Sequence, residues 1–223
     1  MKKLMFSLAA VVVVVFVSCG EKKAAVQSNQ EELDEALEYM YRDSTIYGTC
    51  TDGSSMNTLQ MLTDNGDTLT LSTLAAQESN CMFGQFANGD RMAVIANEKH
   101  TQALIVINLN TLLGDWVMPN PLDGTSYMGF TIKDGGIAES INQTSIVYKT
   151  WRIHNGNLQM VSVREGGGDF VEDETYKFLY LSADSMSLQG TEEVFDYVRP
   201  VVEENYDGVI IDEEDENFED MVI

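Results

Sequence analysis

Apolar and polar residues alternate along most of the chain, and the most regular stretch runs from Leu112 to Gln189. Its apolar runs are short, are separated by turn residues, and are each too brief for a helix that buries its own face. This predicts an antiparallel meander. In Phe130–Ile141, Phe130 and Ile132 share one face, and Ile137 and Ile141 return to it across Gly135-Gly136. The next hairpin turns at Asn155-Gly156, with Val147, Trp151 and Ile153 on one face before the turn and Leu158 and Met160 after it. Lys149 falls on that same apolar face by strict alternation. Thr175–Leu181 places Tyr176, Phe178 and Tyr180 together, and Met186 and Leu188 close the pattern.

Upstream, residues 44–109 carry a second set of strand signals. Thr45–Thr51 ends at Asp52-Gly53, and Asn57–Thr63 turns at Asn65-Gly66 into Asp67–Ser72. Asn-Gly tolerates the positive φ angles of a two-residue hairpin turn. Gly89-Asp90 introduces Arg91–Ala96, and Ala103–Leu109 is a β-branched run. Five short strands with one longer connection predict a small antiparallel β-barrel, OB-like or SH3-like, without distinguishing it from a sandwich. The expected class is all-β: this small barrel, then the meander of residues 110–190.

The ends of the chain read differently. Residues 1–18 have a basic start at Lys2 and Lys3, an apolar run too short to span a bilayer, and Ser18 just before Cys19, as a secretory signal peptide requires. Phe16-Val17-Ser18-Cys19 reads as a lipobox, which makes Cys19 the expected lipidation site and the membrane a partner through its acyl chains. Residues 19–43 are a polar tether in which Leu33, Leu37 and Tyr41 recur at helical spacing, so a short helix and a disordered linker both fit. From 191 to 223 the composition turns acidic and reads as a solvated tail.

The meander also carries recognisable motifs: Gly114-Asp115-Trp116 with Pro119, Gly129-Phe130-Thr131-Ile132, Glu139-Ser140-Ile141-Asn142, Tyr148-Lys149-Thr150-Trp151 and Glu174-Thr175-Tyr176. Together they resemble the small lipocalin-like domains of lipoproteins in Bacteroidetes-type bacteria, over about a third of the chain. The resemblance implies a β-barrel with a role in the cell envelope, on an outer-membrane lipoprotein whose facing side it does not specify. If such a barrel holds a small apolar or amphipathic ligand, its expected lining is Trp116, Phe130, Trp151 and Tyr176. An inward Lys149 would reach an anionic ligand; otherwise it snorkels to the rim or sits past a bulge.

Charge narrows the partners. With 36 acidic and 13 basic residues the net charge is −23, which repels a phosphate backbone and excludes nucleic acid. If Cys19 carries lipid, Cys50 and Cys81 remain as an even pair in an oxidising compartment, where a disulfide and two buried thiols are both open. The chain has two histidines, His100 and His154, in different predicted domains, and no nucleophile elbow, P-loop, dinucleotide fingerprint or zinc-ligand spacing. No catalytic residue, metal or cofactor is expected. Two readings follow: a non-catalytic envelope protein binding a small ligand in its barrel, or a scaffold engaging other envelope proteins with no small ligand. A ligand carrier predicts a cavity beside the aromatic residues. A scaffold predicts a filled barrel with an open edge strand or exposed apolar patch.

Overall fold

The computed structural model describes residues 42–164 and 170–200. The expected signal peptide, Cys19, most of the expected tether, the glycine run Gly166–Gly168 and the acidic stretch after Pro200 lie outside the described residues.

The first region contains β1 (Ile46–Cys50), β2 (Thr58–Thr63), β3 (Thr68–Ser72), α1 (Leu74–Glu78), β4 (Met82–Phe83), β5 (Arg91–Ala96) and β6 (Ala103–Asn108). They form one sheet in the order β3-β2-β1-β5-β6-β4, and β4 runs parallel to β6. This corrects the expectation of a small closed barrel: the sheet is open. The alternation of burial shows why. Leu59, Met61, Leu71, Met92, Val94 and Val106 pack with Ala76 of α1 on one face, while Tyr47, Phe83, Ala93, Ile105 and Ile107 point the other way, into a core shared with the second region. A sheet whose second face is covered by a neighbouring layer need not curl round to cover itself.

The Asn65-Gly66 hairpin forms as expected, with Leu59 opposite Leu71 and Gly66 at φ 89°. The disulfide does not. Cys50 and Cys81 are free thiols. Cys50 is in β1 and Cys81 directly precedes β4, so β5 and β6 lie between them. Three interstrand spacings of ~4.8 Å put them roughly 14 Å apart, about twice the Cα separation a disulfide spans.

A short helix α2 (Leu109–Leu112), capped by the Asn108 side chain, leads into the second region. Its strands are β7 (Gly114–Pro119), β8 (Tyr127–Lys133), β9 (Ile137–Ile141), β10 (Ile146–His154), β11 (Asn157–Arg164), β12 (Phe170–Leu181), β13 (Ser185–Gln189) and β14 (Val194–Val198). They close into an antiparallel barrel in chain order, β14 pairing with β7. β14 extends the barrel beyond residue 190 into the stretch whose acidic composition reads as tail. Its Phe195 and Tyr197 face inward and Asp196 outward, so composition concealed a regular alternation.

One end of the barrel rests on the sheet. Tyr47 Oη donates to the Ile153 carbonyl (2.7 Å), Gly84 N–H donates to the Leu181 carbonyl (3.0 Å), and the Phe83 and Phe178 rings lie 5.3 Å apart. At the β10–β11 turn Gly156 has φ 74°, and a Cβ there would come within 2.7 Å of Ile105 Cδ1. Both the turn and the junction therefore require glycine at this position. The opposite end, where β7 meets β8, β9 meets β10 and β13 meets β14, points away from the sheet and forms the barrel mouth.

Candidate functional site

The barrel interior has two levels. At the floor Trp116 is fully buried, and its indole N–H donates to the Leu112 carbonyl (2.7 Å). The guanidinium of Arg199 lies 3.7 Å from the Trp116 ring centroid and donates to the carbonyls of Thr111, Leu113, Asp115 and Ala183. Burial draws the Arg199 pKa down, while Asp115 opposes the shift. Gly129 stands against this floor, where a Cβ would be only 1.9 Å from the Trp116 carbonyl oxygen. Phe130, Ile132, Ile153, Leu158, Phe178 and Leu188 are buried around it, all at 1% exposure or less. The floor is a packed core, and small barrels of this strand number commonly fill in this way.

The mouth is built differently. Tyr148 and Tyr197 lean on Phe130 at ring-centroid distances of 5.3 and 4.9 Å. Tyr176 meets Phe195 edge to face at 6.1 Å, and its hydroxyl donates to Glu174 Oε2 (2.5 Å). Ser162 on β11 is opposite Tyr148 in one ladder and Glu172 in the other. It is 1% exposed, and its hydroxyl has no hydrogen-bond partner. Arg164 pairs with Glu172 at 3.0 Å. Burial pushes the Tyr148 hydroxyl up to about 12, with Glu174 and Glu172 adding in the same direction. Tyr176 is raised further by burial, by Tyr148 and by its bond to Glu174; Tyr197 is raised by burial, with Tyr148 and Glu174 contributing. All three hydroxyls therefore keep their protons across the ordinary pH range. A crevice of about 210 Å³ opens here, lined by Glu174, Tyr176, Gly190, Glu192, Glu193 and Phe195.

The five residues expected to line a ligand site are not brought together. Trp116 and Phe130 belong to the floor, and Tyr176 is in the wall of the mouth. Trp151 is half-buried, donates its indole N–H to the Lys133 carbonyl (2.7 Å), and borders a separate groove of about 450 Å³ at the sheet junction with Tyr47, Leu113, Gly136 and Arg152. Lys149 is exposed and outside the barrel. The register of β10 against β11 slips between Tyr148 and Thr150, so Lys149 is the extra residue of a β-bulge. That corrects the inward reading and realises the alternative in which a bulge displaces the lysine. The same bulge turns Tyr148 inward, where strict alternation had placed Val147. Alternation back from Tyr176 leads to Glu174, so this carboxylate was readable; Tyr148 was masked by the bulge, and Phe195 and Tyr197 by the acidic context.

A larger cleft of about 1180 Å³ lies between the sheet loops and the β12–β13 turn, bordered by Asp52, Met56, Phe86, Tyr180 and Asp184 among others. Among the described residues no group of three or more His, Cys, Asp or Glu side chains is placed to hold a metal ion. No described helix is long and apolar enough to cross a membrane. His154 sits at the barrel floor with Nδ1 3.7 Å from Asp43 Oδ2.

Residues 108–200, which comprise the whole barrel, match a family model described as Lipocalin-like. Among solved structures, a lipocalin-like protein from Bacteroides thetaiotaomicron VPI-5482 is 26% identical over 40% of this chain and 97% of its own, with a TM-score of 0.37. No curated protein matches the chain.

Proposed function

We propose that this chain is a non-catalytic binding protein, held at the cell envelope by lipid on Cys19, that receives one end of a small amphipathic ligand at the barrel mouth. The observation that carries the reading is the Ser162 hydroxyl, 1% exposed and unpartnered in the barrel wall, opposite Tyr148 in one ladder and Glu172 in the other. A buried hydroxyl left without a partner costs about 1–3 kcal/mol, so a site that supplies one gains by it. The lipocalin-like match over residues 108–200 supports ligand binding as the role of this barrel. The packed floor argues against a ligand sunk beneath the aromatic rings. The mouth crevice, at about 210 Å³, is smaller than the roughly 300 Å³ at the lower end of drug-sized pockets, so it suits a head group or a very small molecule.

Native mass spectrometry of the whole protein, purified from its own envelope in a mild non-ionic detergent, tests this reading. A discrete added mass that is lost on denaturation supports it and gives the ligand's size, whereas a bare chain mass, unaltered by added extract, sinks it. A second reading, an interaction module for other envelope proteins, draws on two observations: the 1180 Å³ cleft between sheet and barrel, and β3, which pairs only with β2 apart from a single bridge from Ser72 to Gln102. Such an edge offers unpaired backbone groups to an added strand.

A further inference from the structure

We infer that the barrel is gated from the side: β7, β8 and β9 form a leaf that swings away from β14 at the mouth, and the interior is entered through that seam. The inference rests on the barrel holding a ligand and supplies the way in, which a crevice of about 210 Å³ above a packed floor does not. Within the leaf, and within β10–β14, neighbouring strands pair along most of their length. Among the described residues the leaf meets the rest at one ladder pair on each side, Val117 with Val198 and Ile137 with Thr150. Both pairs lie toward the floor, at the last residue of β14 and the first of β9. Alternation explains why the β7–β14 ladder stops. The Asp115 carbonyl faces β14 and accepts from Arg199 (3.1 Å), so Val117 and Pro119, two and four residues on, turn their backbone groups to the same edge. Val117 finds Val198, but the register then sets Asp196 opposite Pro119, which has no N–H to donate. Arg199 also reaches the Thr111 and Leu113 carbonyls, so this seam is tied at the floor and free at the mouth. The other seam is stitched. Ser140 Oγ accepts from Tyr148 N–H (2.8 Å) and donates to the Ile146 carbonyl (2.7 Å), and nearer the floor Trp151 N–H donates to the Gly136 carbonyl (2.9 Å). A side-chain stitch and the connection 142–145 let β9 turn against β10 without parting from it, which makes this side the hinge. Behind the free seam Phe130 of the leaf meets Tyr197 of β14 at 4.9 Å. Opening separates these rings and extends the crevice, whose wall includes Phe195, into the interior.

Hydrogen exchange read amide by amide in the whole detergent-solubilised protein tests the gate without a ligand. In the natural chain the Val117 and Val198 amides, which pair across the seam, should be at least tenfold less protected than those of Trp116 and Phe130, which pair within the leaf. Pro119→Cys combined with Asp196→Cys locks the seam, because opposed residues of such a pair have Cα atoms about 5.5 Å apart, within reach of a disulfide. Oxidation of this variant should raise Val117 and Val198 protection at least tenfold, and reduction should return it. If the disulfide does not close, Pro119→Thr, which supplies the missing donor, should raise the same protection severalfold. Equal protection of seam and leaf in the natural chain, or seam amides indifferent to the variants, overturns the gate. Native mass spectrometry separates this from the reading beneath it: the locked form, incubated with envelope extract, should gain no added mass until it is reduced. A locked form that gains the mass as readily as the natural chain overturns the seam as the way in and leaves the mouth standing as a site. A bare mass for the natural chain sinks that reading, and the exchange pattern alone then decides the gate.

Discussion

The floor and the mouth of the barrel are made from the same strands, yet they solve opposite problems. At the floor the Trp116 indole N–H reaches Leu112 and four backbone carbonyls surround Arg199, while His154 Nδ1 at its edge has no hydrogen-bond partner. At the mouth a serine hydroxyl is left over, tyrosines gather with a carboxylate, and a crevice opens. The floor spends its side chains on packing because the sheet seals it from below. The mouth faces solvent and keeps unsatisfied groups, which is the condition for binding something. On the proposed function, packing energy and recognition are divided between the two ends of one barrel.

The largest expected effect breaks the floor. Trp116→Ala removes a fully buried indole that also seats Arg199, and a loss of about 3–5 kcal/mol is expected, read as a lower midpoint in urea unfolding. Next comes the mouth. Tyr148 has a folded-state pKa of about 12 against an ordinary value near 10, so the folded state holds its proton more tightly than the unfolded chain. Its stabilisation is fully present below pH ~10 and is lost as pH rises through ~12, on the order of 2–3 kcal/mol. An absorbance titration should show one set of tyrosines ionising normally and another ionising only together with unfolding; a single uniform ionisation near ~10 would erase the contrast between mouth and surface.

A smaller effect concerns the outer rim of the floor, where Asp43 accepts hydrogen bonds from the Asn155 and Thr45 N–H groups. Partial burial raises its pKa, but the Asn155 and Thr45 hydrogen bonds and the charge of His154 outweigh that and leave it lowered. The stabilisation is present above the ordinary carboxylate value of ~3.8 and is lost as pH falls through the lower folded value. The protection of the Asn155 amide against exchange, relative to its intrinsic rate at each pH, should therefore fall at acid pH before the Trp116 indole signal changes. The smallest effect is that of Lys149→Glu. With its side chain outside the barrel, the substitution should move stability by no more than about 0.5 kcal/mol and leave ligand uptake at the mouth unchanged. A marked loss of uptake would return Lys149 to the interior.

Much of this fold could be read from the chain. The Asn65-Gly66 and Asn155-Gly156 turns, the inward Phe130, Ile132, Leu158, Met160, Phe178, Met186 and Leu188, and the all-β class all follow from alternation and turn chemistry, which act between residues close in sequence. The site was less legible. Trp116 and Phe130 were expected to line a ligand and instead form core, because their neighbours across the barrel, Tyr197 and Ile153 among them, fill the space. Tyr148 and Lys149 exchanged places because one extra residue in β10 inverted the faces, and a period of two propagates such a slip to all that follows.

What the sequence determined by itself was local: which segments are strands and where they turn, since each depends on a few adjacent residues, whereas shared faces held only between irregularities, and Ile137 and Tyr180, expected inward, are exposed. The tertiary structure decided what no segment contains. Closure needed β14 to lie beside β7, the first sheet stayed open because the barrel covered its second face, and Cys50 and Cys81 were held apart by two intervening strands. Whether an inward aromatic is core or lining depends on what stands opposite it, and strands distant in the chain supply that.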